Sequence, residues 1–318
     1  MNTKLFFRPL MMLSVLALIF SSCLEDESEF EKQINFEQDL LNKHFEQNNI
    51  EPTRDNTGLY YQVLEENTDG TAVEEGDIVS IRYTMRTLDG KMIDSLSAQQ
   101  DQDTVIRFRH IGGAVYPEGI NLGVRLMHAG EKFRFFIPSY RAFNQFSYKT
   151  LIPSESILIT DIEVVGTETT DQLKDREIQE IRDYIAAHQL EGVTEQSNGL
   201  FYQRLEEGSG DLVKTGQQVE IAYKGYYLNN EVFDESKDNQ PIKFTIDNSN
   251  VIEGLQEGMK LMKQGEKGRI FIPSHLAYGA GVQVVPEVAR KDFLKAVNIR
   301  DMAPFRTLVF EVELADID

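Results

Sequence analysis

The chain repeats itself, and the repeat constrains the fold more than any other feature. Gly58-Leu59-Tyr60-Tyr61-Gln62 matches Gly199-Leu200-Phe201-Tyr202-Gln203, and Leu88-Asp89-Gly90-Lys91-Met92-Ile93-Asp94 matches Leu228-Asn229-Asn230-Glu231-Val232-Phe233-Asp234. Phe136-Ile137-Pro138-Ser139 matches Phe271-Ile272-Pro273-Ser274, and Leu158 matches Leu308. The offset is 140 residues at the aspartates, 135 at the prolines and 150 at the closing leucines. The first copy therefore has a net insertion after Asp94, and the second a larger one before its last strand. A period of this size is a duplicated domain rather than a solenoid of short units.

Within the second copy, alternation predicts strands near 200–207, 217–228, 241–246, 267–272 and 306–315. Leu308, Phe310, Val312 and Leu314 face inward, and Glu311 and Glu313 outward. Ile252, Leu255, Met259 and Met262 share one face of a helix predicted over Ile252–Met262. Asn229-Asn230 supplies positive-φ residues for a tight hairpin. An antiparallel sheet with one face on a helix is an α+β domain. Each copy follows an amphipathic segment: Ile34, Leu40, Leu41, His44 and Phe45 before the first; Leu173, Ile178, Ile181, Tyr184 and Ile185 before the second, starting near Thr170-Asp171 as a cap. Such helices pack on their own domain or pair two copies of the chain.

A length of 318 residues suits about two domains. The net charge of −20 excludes the basic footprint of a nucleic-acid binder. One Cys and five scattered His give neither an internal disulfide nor zinc-ligand spacing, so no metal or cofactor is expected. At the start, Lys4 and Arg8 precede an apolar run from Leu10 to Phe20, too short for a membrane span of about 20 residues but suited to a secretory signal. Phe20-Ser21-Ser22-Cys23 resembles a bacterial lipobox, which implies cleavage before Cys23 and lipidation of its thiol. By that resemblance the protein is anchored in the cell envelope, at the outer membrane, on its periplasmic or surface face. Glu25-Asp26-Glu27 resembles the surface-export signals of Bacteroidetes lipoproteins, and is equally read as a solvated acidic tether.

The expected layout is a signal peptide (1–22), an acidic tether and helix (23–54), a first domain (55–166), a linker helix (167–196) and a second domain (197–318). The order of elements, with Tyr223, Phe233-Asp234, Val251-Ile252-Glu253-Gly254-Leu255, Ile272-Pro273, Ala277-Tyr278-Gly279 and Thr307-Leu308-Val309-Phe310, resembles the FKBP family of peptidyl-prolyl isomerases. The likeness covers nearly all of 199–318 and, more weakly, 58–166. It implies two tandem FKBP-like domains, each an antiparallel sheet wrapped on one helix.

Isomerising an X–Pro bond means twisting an amide over a barrier of ~18–20 kcal/mol, with no bond broken. The planar amide is the more polar form, so an apolar pocket favours the twisted one. A donor placed where the rotated carbonyl will lie favours it further. The resemblance assigns the walls to Tyr223, Phe233, Ile242, Val251, Ile252 and Phe310, and the floor to Leu255, where many members carry Trp. Met302 aligns with the end of the bordering loop and completes the wall. Tyr278 matches the hydroxyl donor. The Ile252 N–H, at a helix start and so without an intrahelical acceptor, is the second donor. Asp234 matches the acid near the rotating carbonyl, held by Tyr223. Read from the residues alone, Tyr223 and Asp234 are as well a structural hydrogen-bonded pair, and Ile252, Leu255 and Phe310 are core in any such fold.

The first copy keeps Tyr83 and Asp94 but has Ile93 beside the acid, Tyr116-Pro117 for Val-Ile, Phe143 for the donor tyrosine and Thr160 for Phe310. Pro117 has no N–H and Phe143 no hydroxyl, so both donors are lost. Two functions are compatible with the sequence. The first is a lipid-anchored prolyl isomerase acting on proline-containing unfolded or exported polypeptides, active in the second domain and assisting their folding. The second is a non-catalytic peptide-binding or scaffold lipoprotein. The added segment Val282 to Asp301 contains a short helix predicted over Glu287–Val297, offering Val288, Phe293, Leu294 and Val297 to a partner or to the pocket.

Overall fold

The computed structural model describes residues 28–97, 104–237, 240–299, 301 and 304–318. Cys23 and Met302 lie outside them. Two sheets are built alike. In the first half the order is Thr53–Arg54, Tyr60–Glu65, Lys132–Ile137, Leu158–Glu168, Ile78–Thr87, Met92–Leu96, with Ile106–Arg109 also on Ile78–Thr87. In the second it is Val193–Glu195, Phe201–Glu206, Lys267–Ile272, Leu308–Ile317, Gln218–Tyr227, Val232–Glu235, with Ile242–Thr245 also on Gln218–Tyr227. All pairings within the two sheets are antiparallel.

Among the described residues five α-helices flank them: α1 (Glu29–Asn48), α2 (Glu118–Val124), α3 (Thr170–Ala187), α4 (Glu253–Met259) and α5 (Arg290–Ala296). α4 is shorter than the predicted Ile252–Met262. Ile252 is an extended N-cap with ψ 143°, and beyond Met259 the chain turns so that the Met262 carbonyl accepts the Val213 N–H at 3.1 Å. The helix lies hard on the sheet because Gly254 has no side chain: a Cβ there would meet Ile272 Cγ2 at 2.2 Å, as one on Gly119 of α2 would meet Ile137 Cγ2 at 2.4 Å. Met259, Met262, Ile221, Ile270 and Leu314 are fully buried between them. The hairpin after Tyr227 has a three-residue loop in which Asn230 alone takes positive φ (66°), with Tyr227 N–H bonded to the Glu231 carbonyl. This is the type I turn plus left-handed residue rather than a two-residue turn.

The other face of each sheet is covered by the preceding helix. Leu41 and Phe45 of α1 pack on Tyr60, Phe136 and Ile159; Ile178 and Ile181 of α3 pack on Phe201, Phe271 and Val309. Val309 is therefore buried as fully as its inward neighbours, because the sheet has two covered faces. The α3 cap is Thr169, one residue before the predicted one. Gln172 stands three residues on and completes a reciprocal capping box, with N···O distances of 3.2 and 2.8 Å.

Each covering helix is pinned by a buried glutamate that the sequence reading did not single out. Glu37 accepts from the Ser139 N–H (2.7 Å) and from its hydroxyl; Glu177 accepts from the Ser274 N–H (2.9 Å). Ser139 and Ser274 are the residues after the repeated Ile-Pro, where the strand ends and a backbone donor is orphaned. Burial pushes the Glu177 carboxyl above its usual range, against the opposing pull of its hydrogen bonds with Ser274. Folded chains thus hold a proton that unfolded chains release, so stability falls as pH rises through the window between the ordinary and the raised value. In urea titrations Glu177→Gln, which keeps an acceptor, should cost less than about 1 kcal/mol and lose that slope. Glu177→Ala, which strands the Ser274 N–H, should cost about 1–3 kcal/mol.

Candidate functional site

Strand Gln218–Tyr227 and its hairpin partner Val232–Glu235 bring the aromatic residues and the acid of the second half together. Tyr223 Oη donates to Asp234 Oδ2 at 2.7 Å. The register sets Gly225 opposite Asp234 on one side and Phe310 on the other. That glycine makes room for the wall: a Cβ on Gly225 would sit 2.7 Å from Phe233 Cζ and 3.1 Å from the Phe310 ring. Phe233 meets Phe310 edge-on, with centroids 5.5 Å apart, Tyr227 lies 5.0 Å from Phe233, and Tyr223 lies 5.8 Å from Phe310.

Leu255, on the first turn of α4, is buried beneath this group, and Ile242, Val251 and Ile252 pack partly exposed around it. Tyr278 follows the short turn Ser274–Leu276 and is 37% exposed. Its phenol is near enough to add to the upward shift of the Tyr223 hydroxyl, which comes first from burial, then from the hydrogen bond to Asp234 and its charge. Gly279 takes φ 59° and turns the chain away. The structure thus brings together Tyr223, Phe233, Asp234, Ile242, Val251, Ile252, Leu255, Tyr278 and Phe310. Gly225 was missed, although a glycine between aromatic residues in a strand is itself a sign of close approach.

The first half holds the corresponding pair in a different state. Tyr83 Oη donates to Asp94 Oδ2, but Tyr83 is only 5% exposed. Burial, the bond to Asp94 and its charge push the phenol far above its usual range, and Glu287 of the second half adds a smaller push. Thr160 is fully buried, and its hydroxyl has no hydrogen-bond partner among the described residues. The N-cap of α2 is Pro117, and a proline there offers no N–H.

A family profile described as FKBP-type peptidyl-prolyl cis-trans isomerase matches residues 70–165 and 210–315, together more than half of the chain. The chain belongs to the FKBP family. It carries two FKBP domains, with the fold expected from the sequence. It is 38% identical over 128 residues to the FKBP-type peptidyl-prolyl cis-trans isomerase FkpA of Escherichia coli K12, covering 40% of each chain. It is 34% identical over 122 residues to an FK506-binding protein of Neisseria meningitidis, covering 37% of this chain and 96% of that one. The crystal structure of E. coli FkpA matches at 33% identity and TM-score 0.36, covering 46% of this chain and 59% of that one. The chain thus spans about 40% of the length of the FkpA it matches.

Gly225→Ala should drive Phe233 from its place and cost about 1–3 kcal/mol, the usual penalty for overpacking. Chemical denaturation of the wild type and variant measures the loss, and an unchanged midpoint would contradict the packed wall.

Proposed function

We propose that the protein is a peptidyl-prolyl cis-trans isomerase whose second FKBP domain acts on X–Pro bonds of exported polypeptides. The observation that carries this is the contrast between the two Tyr–Asp pairs: Tyr223–Asp234 lies at a partly exposed, aromatic-walled site beside Tyr278, whereas Tyr83–Asp94 is closed over. A proline ring seated among Tyr223, Phe233 and Phe310, over Leu255, would have its preceding carbonyl in an apolar setting that favours the less polar, twisted amide. The Ile252 N–H and the Tyr278 hydroxyl are the donors, and the Asp234 carboxylate, fixed by Tyr223, faces the rotating carbonyl carbon. Met302 completes the wall in this reading.

The N-terminal sequence supports the remainder: an exported chain, lipidated at Cys23 and held in the cell envelope at the outer membrane, where it assists folding of exported clients. Among the described residues no helix is long and apolar enough to cross a membrane. Pairing of two copies through the helices belongs to the same reading, with the outward Phe36 of α1 a candidate contact. A non-catalytic, peptide-binding role suits the first domain better than the second, because that copy has lost both donors.

A protease-coupled assay on a short X–Pro peptide tests the proposal. Tyr278→Phe should lower kcat/KM by about tenfold or more, the worth of one hydrogen bond at the transition state, and Asp234→Ala, which removes the charge facing the rotating carbonyl carbon, should lower it by about tenfold as well. A wild-type rate no higher than the uncatalysed background would overturn the enzyme reading. A double variant as fast as the wild type would move the activity away from the second domain.

A further inference from the structure

The segment added to the second domain does not lie on its own site. It crosses to the first domain and fills the cleft there. Gln283 and Val284 pair in parallel with Val115 and Tyr116, the residues just before α2. The Gln283 N–H bonds to the Ala114 carbonyl and the Val285 N–H to the Tyr116 carbonyl, each at 2.8 Å. The chain then runs through buried Pro286 into α5, which brings Phe293 back to the cleft. Phe293 is 3% exposed, with ring centroids 4.8 Å from Tyr116, 5.5 Å from Phe143 and 5.1 Å from Phe146. Val284, Val285, Ala289 and Leu294 join the core of the first domain.

The segment is tied off as a unit. The buried Arg290 guanidinium bonds to the Val282 carbonyl and the Asp301 carboxylate, both at 2.7 Å, and Phe305 N–H closes the neck on the Gly279 carbonyl at 3.0 Å.

We propose that the first domain retains a peptide-binding cleft whose resident ligand is Gln283–Leu294 of the same chain. Its ligand class is an extended apolar stretch that adds a strand at Val115–Tyr116 and delivers an aromatic anchor to the Tyr116, Phe143 and Phe146 rings. Three features fit a binding site rather than an ordinary domain contact. Backbone pairing at an edge gives sequence-tolerant affinity, with the side-chain pocket giving selectivity. The aromatic anchor comes from outside a wall where the family's Phe is replaced by Thr160. The pairing edge directly precedes the helix whose counterpart in the second domain starts at the proposed catalytic donor, Ile252. Client segments of the same pattern enter only by displacing the resident one, which competes at the high local concentration of a tethered ligand.

The test uses a fluorescein-labelled peptide of residues 281–299 and anisotropy titration against full-length chains. A chain with 282–299 replaced by a short Gly-Ser linker should bind the peptide at least about tenfold more tightly than the wild type does, since the tethered competitor is gone. A peptide carrying Phe293→Ala should bind that shortened chain at least about tenfold more weakly, reflecting loss of a buried aromatic anchor. The intact chain with Phe293→Ala, which keeps every backbone bond, should also gain affinity for the wild-type peptide, and it decides the matter if the shortened chain does not fold. A folded shortened chain that fails to bind, equal affinity for both peptides, or a Phe293→Ala chain no better than wild type would each overturn the proposal. Isomerase assays are not part of the readout, so failure here leaves the second domain's activity untouched.

Discussion

The burial of Val284, Val285, Phe293 and Leu294 in the first domain is the contact that makes two duplicated domains into one molecule. It places the tip of the added segment in the first domain. A cleft that has lost both proposed donors exposes aromatic and aliphatic walls, and such a patch invites association unless covered. Here the cover is supplied within the chain. The same contact leaves the second domain's own cleft uncovered by this segment, so the two sites diverge through one piece of backbone.

The hydrogen bonding of that piece explains why it can span the gap as a defined shape. Arg290, buried in the segment, satisfies the Val282 carbonyl and neutralises Asp301, so the two ends are held together independently of either domain. Gly279, in the left-handed region, accepts from Phe305 at the neck. Tyr278 therefore stands at the base of a closed stalk rather than in a long open loop. The tip contributes backbone pairing at Gln283 and Val284 and a helical turn carrying Phe293.

Much of this architecture was legible in the sequence. Alternation placed five strands of the second sheet within a few residues because period-2 patterns and the Ile-Pro stops are local signals, but it did not give the short strands Val193–Glu195 and Val232–Glu235. The Tyr223, Phe233, Asp234 and Phe310 group was readable through the resemblance to the FKBP family, and strand register is what sets these positions side by side. The destination of the added segment was not readable. Val288, Phe293, Leu294 and Val297 show a helical pattern, but a pattern does not name the surface it meets. Only Phe293 and Leu294 are buried, while Val288 and Val297 stay outside. The glutamates Glu37 and Glu177 were obscured for a related reason: in acidic helices they look like solvent-facing charges. Their signal was the repeat itself, which sets each one before a copy whose Ile-Pro is followed by serine.

The retained aspartates show how a residue can persist for two different reasons. In the first domain Tyr83 is almost wholly buried, and a buried hydroxyl without an acceptor costs about 1–3 kcal/mol. Asp94 is therefore required by the fold whatever the cleft does, and its presence says nothing about catalysis. In the second domain Tyr223 is only partly buried, and water could satisfy much of its hydroxyl's demand. Asp234 is itself exposed, whereas Asp94 is partly buried, and the structural need for Asp234 is correspondingly smaller. The acid that the fold needs less is the one whose retention calls for a functional explanation.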